Sequence, residues 1–321
     1  MATMKNYTAI SLFAGVGGID LGFEMTGKVK TLWANEFDKN AAITFRANHD
    51  VNLHVDDIHN VEKSELPKVD IVLSGFPCQA FSIAGYRKGF EDERGDLFFE
   101  TLKVIKATNP QVVFLENVKN LVAHDNGNTF NVIVEALEQN GYFVKYQVLN
   151  GKNYGNVPQT RERIYIVGFN DENAFNNFAF PEPIELTTKL ADVIDFDLEV
   201  ADKYYYRADK QNFYDQLAEK ITSQETIYQW RRKYVRDNKS GVCPTLTANM
   251  GTGGHNVPLI KAKHGIRKLT PRECFNIQGF PKSFILPEIA NTQLYKQAGN
   301  SVVVPVIKRI ASQIILALES K

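Results

Sequence analysis

The sequence predicts an α/β protein in which helices cover a mostly parallel β-sheet, with a second, smaller domain of irregular β structure. Two observations lead to this fold class. Short apolar runs alternate with helical patterns through the first half of the chain, as expected when helical crossovers join parallel strands. Near residue 181 this alternation gives way to polar, less periodic sequence. The predicted domains are therefore 1–185, completed by the C-terminal segment 286–321, and 186–285.

The elements of the first domain follow one another at regular spacing. Apolar runs predict strands at 7–13, 31–35, 71–73, 112–115, 142–149 and 163–169. Helical patterns predict helices at 21–25, 41–48, 97–108 and 130–139, and a last helix at 302–318 that packs back on the first domain. The run 112–115 is wholly apolar, which is typical of a strand buried on both faces.

Composition places the chain among intracellular globular proteins. Its 321 residues are 44% hydrophobic and 23% charged, which is ordinary for a globular protein of about two domains. We find no apolar stretch near the roughly 20 residues that span a bilayer, and the N-terminus has no hydrophobic signal core. We therefore expect a soluble, cytoplasmic protein with reduced thiols and no membrane partner.

The net charge is zero, but the charge is unevenly distributed. Residues 1–185 carry 17 Lys and Arg against 24 Asp and Glu, a net of −7, whereas residues 186–321 carry 20 against 13, a net of +7. The second half interleaves cations with aromatics at 230–236 and has a further basic cluster at 261–272. A basic region can bind phosphates in a neutral chain. A nucleic-acid partner is therefore one interpretation, and a solvated surface is the simpler one.

A glycine-rich turn, Phe-Ala-Gly-Val-Gly-Gly-Ile-Asp at 13–20, separates the first strand from the first helix. Such a turn lets a ligand approach the backbone, and the helix N-terminus offers free N–H groups. Glu36 ends the second strand 19 residues after Gly17, where an acidic residue can bind a ribose, and Phe37 can stack on an adenine. Because Asp20 stands where a dinucleotide fingerprint needs a third glycine, S-adenosylmethionine is favoured over NAD. A merely tight turn is the alternative.

A cysteine, Cys78, follows Gly-Phe-Pro just beyond the apolar run 71–73. The chain has only two others, Cys243 and Cys274, so there is no disulfide framework. A lone cysteine is usually a small buried residue. A thiol in a turn that follows a strand can also be a nucleophile, and position alone leaves both interpretations open.

Six segments together resemble the DNA cytosine-5 methyltransferases. They are Phe-Ala-Gly-Val-Gly-Gly at 13–18, Gly-Phe-Pro-Cys-Gln at 75–79, Glu-Asn-Val at 116–118, Gln-Thr-Arg-Glu-Arg at 159–163, Arg-Lys-Leu-Thr-Pro-Arg-Glu-Cys at 267–274 and Gly-Asn-Ser-Val at 299–302. They occur in the family's order and span nearly the whole chain. Because the chain carries no added regulatory region, it resembles the bacterial enzymes of restriction–modification systems. The resemblance implies a Rossmann-like, S-adenosylmethionine-dependent methyltransferase fold.

The resemblance also implies a role for individual residues. Cys78 is expected to be the nucleophile, Glu116 to bind the N3 and amino edge of the target cytosine, and Arg163 to contact the same base, with Arg161 supporting the site. S-adenosyl-L-methionine is the expected cofactor, S-adenosyl-L-homocysteine its product, and no metal is expected. The implied cofactor-binding residues are Phe13, Gly15, Gly17, Gly18, Glu36, Phe37, Asp57, Ile58, Pro77, Leu97, Asn300 and Ser301.

The chemistry explains why these residue types are needed. Cytosine C5 is a poor nucleophile, but a thiolate that adds to C6 makes C5 enamine-like. A protonated Glu116 bonded to N3 would stabilise the displaced charge, which predicts a raised pKa in a dry pocket. A stacked base cannot be reached on both faces, so the target must be flipped out. We expect the polar segment 82–96 to be a mobile loop that closes on DNA.

The second domain is expected to read the DNA sequence. Its segment 245–254 resembles the core of the family's target-recognition region. Cationic side chains there can contact phosphates or guanines. The expected partner is double-stranded DNA, bound by a monomer without a stable protein partner. The candidate DNA contacts are Gln79, Ser82, Arg87, Arg231, Arg232, Arg236, Thr245, Thr247, Gly253 and Gly254.

Four other functions are compatible with parts of the sequence. An NAD-linked oxidoreductase shares the fold, but the chain has no hydride-site constellation. A cysteine hydrolase would need a histidine partner, and none of the six histidines lies in a recognisable motif. A DNA reader without catalysis is disfavoured by Cys78 and Glu116. A methyltransferase acting on tRNA cytosine is the closest rival, and the basic, glycine-rich second domain favours duplex DNA over it. The expected biological role is protection of host DNA from a cognate endonuclease.

Overall fold

The computed structural model describes residues 6–77, 97–238, 241–252 and 257–320. The chain divides into two compact units: the first comprises Met1–Leu149, Glu162–Glu182 and Val306–Lys321, and the second comprises Asn150–Arg161 and Pro183–Pro305. Segments 150–161 and 286–305, which the sequence assigns to the first domain, thus group with the second unit. The functional domain limits at 185 and 286 stay a prediction.

Strands and helices alternate through the first unit, with short 3₁₀ helices between β3 and β4, whereas the strands of the second unit follow one another in pairs. The strands are β1 (Tyr7–Leu12), β2 (Val29–Asn35), β3 (Asn52–His54), β4 (Ile71–Ser74), β5 (Val112–Val118), β6 (Phe143–Asn150), β7 (Glu162–Phe169), β8 (Ile227–Trp230), β9 (Val235–Asn238), β10 (Leu259–Ala262) and β11 (Gly265–Lys268). The helices are α1 (Gly18–Glu24), α2 (Lys39–Asn48), α3 (Leu97–Thr108), α4 (Asn128–Gln139), α5 (Gly151–Tyr154), α6 (Glu172–Asn177), α7 (Leu190–Val193), α8 (Tyr214–Lys220), α9 (Pro271–Ile277), α10 (Asn291–Asn300) and α11 (Val304–Glu319).

The first unit is built on a seven-stranded sheet with the order β3-β2-β1-β4-β5-β7-β6. Neighbouring strands from β3 to β5 are parallel, and β7 runs antiparallel to β5. The predicted mostly parallel α/β sheet is therefore confirmed. Because the strand order reverses between β1 and β4, this point of the carboxyl edge is where open α/β sheets bind their ligands.

Helices cover both faces of this sheet, as its apolar strands require. On one face, α3 and α4 pack through Phe98, Leu102 and Ile133 against the buried side chains of the central strands. On the other, Gly22 of α1 lies so close to α11 that an added Cβ would come within 2.5 Å of Ile307. The absence of a side chain at Gly22 therefore sets how closely the first and last helices pack.

The register of the central strands aligns four positions at one edge of the sheet. Leu12 is the partner of both Asn35 and Ser74, and Ser74 is the partner of Leu115. The residues that follow these four partners therefore occupy one row at the carboxyl edge of the sheet. They are Phe13, Glu36, Gly75 and Glu116.

The second unit contains a four-stranded sheet with the order β11-β10-β8-β9, and its pairs are antiparallel. Its core packs Leu217 and Ile221 against Tyr228, Leu259 and Ile266. The sequence predicts irregular β structure here, and the structure contains a small, regular antiparallel sheet.

A buried ion pair joins β11 to α9 in the second unit. Arg267 has no exposed surface, and its guanidinium donates to both carboxylate oxygens of Glu273 at 2.7 and 2.8 Å. Glu273 also completes a capping box with Thr270, and Pro271 occupies the first turn of α9, which is a common way to begin a helix. Arg267 belongs to the basic cluster at 261–272, but its burial and its pairing with Glu273 remove it from the surface that could bind a polyanion.

The segment Asn291–Glu319 is an exception to the expectation that no stretch is apolar enough to cross a bilayer. Among the described residues it has the length and composition of a membrane span, yet 61% of its apolar window is buried inside the protein. In the structure it is two helices, α10 and α11, which residues 301–303 separate. The burial is that of core helices in a globular protein.

Candidate active site

The glycine loop after β1 has an unusual backbone. Phe13, Gly15 and Gly17 all have positive φ, at 54°, 58° and 83°, a region that glycine enters freely and that phenylalanine rarely adopts. A Cβ at Gly15 would have nothing within 4 Å, so the loop leaves open space on that side. Gly17 is the N-terminal capping residue of α1, and Gly18 is the first residue of that helix.

The carboxylate of Glu36 links the end of β2 to the glycine loop. Its Oε2 accepts a hydrogen bond from the Gly15 amide at 2.7 Å, and its Oε1 accepts one from the Asp38 amide at 2.7 Å. Glu36 is only 6% exposed, and this burial raises the pKa of its carboxyl despite the two amide bonds. The Phe37 amide also favours the charged carboxylate, and of the four lone pairs on the two oxygens at least one remains for a ribose hydroxyl.

An aromatic side chain and a short helix flank this carboxylate. The Phe37 side chain is 69% exposed, which leaves its ring open to stack on a planar ligand. Asp57 caps a short 3₁₀ helix, Ile58–Asn60, by accepting from the His59 amide, and Ile58 is buried. A nucleoside needs room to approach the backbone, an acceptor for its ribose hydroxyls and a surface on which its base can stack. The glycine loop, the buried carboxylate and the open aromatic ring provide these, so the residues fit S-adenosylmethionine.

Asp20 faces away from this cradle. Its carboxylate is fully buried and accepts hydrogen bonds from the hydroxyls of Ser11 at 2.9 Å and Thr31 at 3.1 Å. Burial raises its pKa. The Asp20 carboxylate therefore does not point at the ligand. It disfavours a bound pyrophosphate only through its charge, from beneath the loop.

The residues just before Cys78 are held at the end of β4. Asn117 of β5 donates from Nδ2 to the Phe76 carbonyl at 2.9 Å, and its Oδ1 accepts from the Val118 amide at 2.8 Å. A Cβ at Gly75 would lie 3.9 Å from Oε2 of Glu116. Pro77 is exposed, as is usual for a loop residue. Cys78, Gln79, Ser82 and Arg87 lie outside the described residues, as does the predicted loop 82–96.

An ion pair lies close to Gly75, between β5 and β7. Arg163 Nε is 3.1 Å from Glu116 Oε1, with both side chains nearly buried. The pair is possible because Glu116 is the register partner of Tyr165 and Val118 that of Arg163, so Glu116 and Arg163 are diagonal neighbours on one face of the sheet. The structure thus brings together the two residues predicted to bind the cytosine edge.

Arg161 has a different environment from Arg163. It is buried in the second unit, where its guanidinium donates to the carbonyls of Leu246 at 2.8 Å and Gly299 at 2.9 Å, and to that of Ser301. These bonds tie together three backbone segments that are distant in sequence. They suit the supporting role expected of Arg161, and a direct catalytic role stays a prediction.

The remaining cofactor candidates lie in different parts of the chain. Leu97 begins α3 and is half-buried, Asn300 ends α10 and is exposed, and Ser301 is buried. Asn300 and Ser301 belong to the second unit, and Leu97 and Pro77 to the first. Their roles in cofactor binding stay predictions.

The remaining DNA-contact candidates belong to two segments of the second unit. Arg231, Arg232 and Arg236 lie on and beside the turn between β8 and β9, and all are exposed. Thr245 donates from Oγ1 to the Thr160 carbonyl, and the Thr247 hydroxyl donates to Oδ1 of Asn249. Gly253 and Gly254 lie outside the described residues. Which of these side chains contacts DNA stays a prediction.

Two residues with a structural part in the site have no role predicted from the sequence. Asn117 lies inside the motif Glu-Asn-Val, where its position next to Glu116 is a usable signal. His49 packs against Gly17, and nothing in the sequence near the end of α2 marks it. The contact between His49 and Gly17 depends on how α2 packs against the glycine loop, and short-range sequence patterns do not predict that packing.

Comparison with known proteins agrees with this geometry. Residues 7–316 match the model of the C-5 cytosine-specific DNA methylases. The chain belongs to this family. The Type II methyltransferase M.Bsp6I of Bacillus sp. (strain RFL6) is 68% identical over 95% of this chain and 97% of its own length. The Type II methyltransferase M.HhaI of Haemophilus parahaemolyticus is 39% identical over 97% of this chain and 95% of its own.

Solved structures of more distant proteins share the fold. The S. pombe Dnmt2 methyltransferase superposes with a TM-score of 0.75 at 17% identity, covering 98% of this chain and all of its own. A DNMT2 mutant of Spodoptera frugiperda gives 0.72 at 19% identity, covering 97% of this chain and all of its own. The predicted family and fold are therefore confirmed. The protein is a DNA cytosine-5 methyltransferase of the restriction–modification type and uses a methyl donor of the S-adenosylmethionine kind.

Proposed function

We propose that this enzyme methylates C5 of a cytosine flipped out of a short, specific duplex DNA site, through a covalent bond between Cys78 and C6. The observation that carries the proposal is the row at the carboxyl edge of the sheet. Phe13 begins the glycine loop, Glu36 supplies a buried carboxylate, Gly75 begins the segment that leads to Cys78, and Glu116 pairs with Arg163. Neighbouring strand ends thus present a nucleoside cradle and a base-binding pair.

The cofactor would be held mainly by the first unit. Gly15 and Gly17 leave room for it, Glu36 accepts the ribose hydroxyls, and Phe37 stacks on the adenine, with Asp57 and Ile58 beside it. The remaining contacts proposed are Phe13, Gly18, Pro77, Leu97, Asn300 and Ser301. When bound, S-adenosyl-L-methionine supplies an electrophilic methyl group on a sulfonium and departs as neutral S-adenosyl-L-homocysteine.

The addition step uses Cys78 and Glu116. The thiolate of Cys78 forms a bond to C6, and the electrons of the C5–C6 double bond move through the ring toward N3. Glu116, which takes up a proton when the base binds, passes that proton to N3, while Arg163 donates to the same carboxyl and to the base carbonyl. Covalent addition divides one difficult substitution into two easier steps.

The elimination step restores the base. After C5 carries the methyl group, a solvent base takes the C5 proton, and the electrons of that C–H bond re-form the C5–C6 double bond. The bond from C6 to sulfur breaks, the thiolate of Cys78 leaves, and N3 returns its proton to Glu116. Cysteine suits both steps because a thiolate is a strong nucleophile and a tolerable leaving group.

The second unit is proposed to choose the site on DNA. The exposed arginines at 231, 232 and 236 supply phosphate or guanine contacts, and the segment 245–254 approaches the bases. We propose a monomer that needs no stable protein partner and acts in a bacterial cytoplasm. Its product would protect host DNA from a cognate restriction endonuclease.

Transfer of a labelled methyl group from S-adenosylmethionine tests the substrate. Duplex DNA containing many short sites should become labelled at C5 of cytosine in one recurring sequence, and bisulfite mapping would locate it. Bulk tRNA should stay unlabelled under the same conditions. Label in tRNA alone, or label on cytosine with no sequence preference, would contradict the proposed substrate.

A further inference from the structure

A histidine that follows α2 lies directly beneath the glycine loop. A Cβ built at Gly17 would come within 2.1 Å of His49 Nε2 and 2.5 Å of its Cδ2, distances that no real side chain could keep. The His49 side chain is 1% exposed, and its ring stacks on Phe45 at 4.6 Å between centroids. The observed path of the loop therefore requires a glycine at position 17, both for its positive φ and for the close approach of the imidazole.

Two carboxyl groups of α1 face this imidazole. Glu24 Oε2 is 3.2 Å from His49 Nδ1, and the buried carboxylate of Asp20 acts on the ring through its charge. Burial is the largest influence on the pKa of His49 and lowers it. Glu24, Asp20 and the Val16 backbone together outweigh burial, so the pKa of His49 is raised.

The other ring nitrogen is buried toward the loop. Among the described residues, His49 Nε2 has no hydrogen-bond partner of good geometry, although the Val16 backbone is near enough to favour the charged ring. A buried polar atom normally has a well-formed bond, because leaving it unpaired costs about 1–3 kcal/mol. Nε2 therefore lies against the backbone of Val16 and Gly17, where the charged ring would place an N–H group.

We propose that His49 is a positioning residue for the methyl donor, and that its imidazolium form holds the Val16–Gly17 turn in the conformation that binds the cofactor. The inference rests on the proposed placement of S-adenosylmethionine at this loop. The chain of contacts is short: Glu24 holds Nδ1, Phe45 fixes the ring plane, and Nε2 supports the loop backbone at Gly17.

The direction of the pH effect follows from these contacts. At a pH below its raised pKa, His49 is charged and bonded to Glu24. As the pH rises through that value the ring becomes neutral, the ion pair with Glu24 and the attraction to Asp20 are lost, and the loop is held less firmly. Cofactor affinity should therefore decrease on the alkaline side of this transition.

Calorimetric titration of the full-length protein with S-adenosylhomocysteine between about pH 6 and 9 tests the inference. His49→Gln keeps a donor near Glu24 but cannot carry a charge, and should bind about tenfold more weakly than wild type at the acidic end. The difference in affinity between wild type and His49→Gln should become smaller as the pH rises, because only wild type loses a charge at this position. His124→Gln, which removes a histidine that contacts Thr129, should follow the wild-type curve.

A double-mutant cycle tests the contact itself. Gly17→Ala should weaken binding, and His49→Ala should offset part of that loss by opening space for the methyl group. In the matched cycle of Gly15→Ala with His49→Ala, the losses of binding free energy should be additive, because a Cβ at Gly15 meets nothing within 4 Å. Far-ultraviolet circular dichroism of each variant separates weakened binding from loss of fold.

The outcomes distinguish this inference from the proposed function. If Glu36→Gln weakens binding while His49→Gln matches wild type at every pH, the cofactor site stands and the role of His49 is overturned. If neither variant changes the affinity, the cofactor does not bind at this loop and both proposals fall. Additive losses for Gly17→Ala and His49→Ala would overturn the contact mechanism.

Discussion

Arg163 Nε lies 3.1 Å from Glu116 Oε1, across two neighbouring antiparallel strands at the carboxyl edge of the sheet. Both side chains are nearly buried, so the pair is shielded from bulk water and its geometry is maintained by the strand register. The pair keeps a carboxyl group beside the segment that leads to Cys78. In the proposed mechanism this carboxyl binds the base edge and exchanges a proton with it.

Replacing Glu116 by Gln should abolish most of the methyl transfer without loss of fold. The amide keeps the size of the side chain but cannot give a proton to N3, and loss of general acid–base catalysis costs about 10²–10⁴ in rate. Single-turnover methylation measures the step. Glu319→Gln, which removes only a surface pair with Lys28, should retain the wild-type rate, and an equal loss in both variants would contradict the role of Glu116.

Replacing Asn117 by Ala should slow catalysis and also lower stability. The Phe76 carbonyl would lose its donor two residues before Cys78, and an unpaired buried group costs about 1–3 kcal/mol. Urea unfolding and kcat are the two measurements. Asn140→Ala deletes a comparable bond, from Nδ2 to the Ala136 carbonyl, at a helix end away from the site. If Asn117→Ala is destabilised yet keeps its kcat, Asn117 does not position the segment that leads to Cys78 for catalysis.

Cofactor binding should weaken in acid because of Glu36. Burial raises the pKa of this carboxyl above its ordinary value, so it takes up a proton at a higher pH than an exposed glutamate would. The affinity for S-adenosylmethionine should then fall as the pH is lowered through that raised pKa, since the neutral acid accepts ribose hydroxyls less well. Glu36→Gln should bind S-adenosylmethionine weakly, and its affinity should not fall further as the pH is lowered through the same range. A wild-type affinity that is constant from about pH 4.5 to 7 would exclude this role.

The buried pair of Arg267 and Glu273 should be essential to the stability of the second unit. Glu273→Gln leaves the guanidinium without a counter-charge, and breaking one side of a buried pair costs about 3–5 kcal/mol. The double variant Arg267→Met/Glu273→Gln removes both charges and should regain part of that loss in denaturant unfolding. If the double variant is less stable than Glu273→Gln alone, the unpaired charge on Arg267 is not what destabilises Glu273→Gln.

The sequence predicts those parts of the fold and site that short-range patterns determine. Apolar runs locate the central strands, and the residues that follow them, Glu36 and Glu116, therefore lie at the ligand-binding edge. The direction of β7 is not contained in its own residues, because an apolar run is compatible with parallel or antiparallel pairing. Its antiparallel register is nevertheless what brings Arg163 to Glu116.

Contacts between distant segments account for what the sequence does not predict. The partners of Arg161 are the carbonyls of residues 246, 299 and 301, and no local pattern specifies them. Arg267 belongs to a basic cluster by composition, and only the packing of α9 against β11 reveals that it is buried. The position of His49 beneath Gly17 likewise requires the packing of α2 on the glycine loop.

The covalent role of Cys78 is tested most directly with duplex DNA that carries 5-fluorocytosine at the target position. Fluorine cannot leave C5 as a proton does, so the methylated adduct should accumulate as a protein–DNA complex that survives a denaturing gel. Wild type and Cys243→Ser should both form it, because Cys243 is buried and burial raises its pKa, whereas Cys78→Ala should not. No complex with wild type, or a complex that persists in Cys78→Ala, would contradict the covalent mechanism.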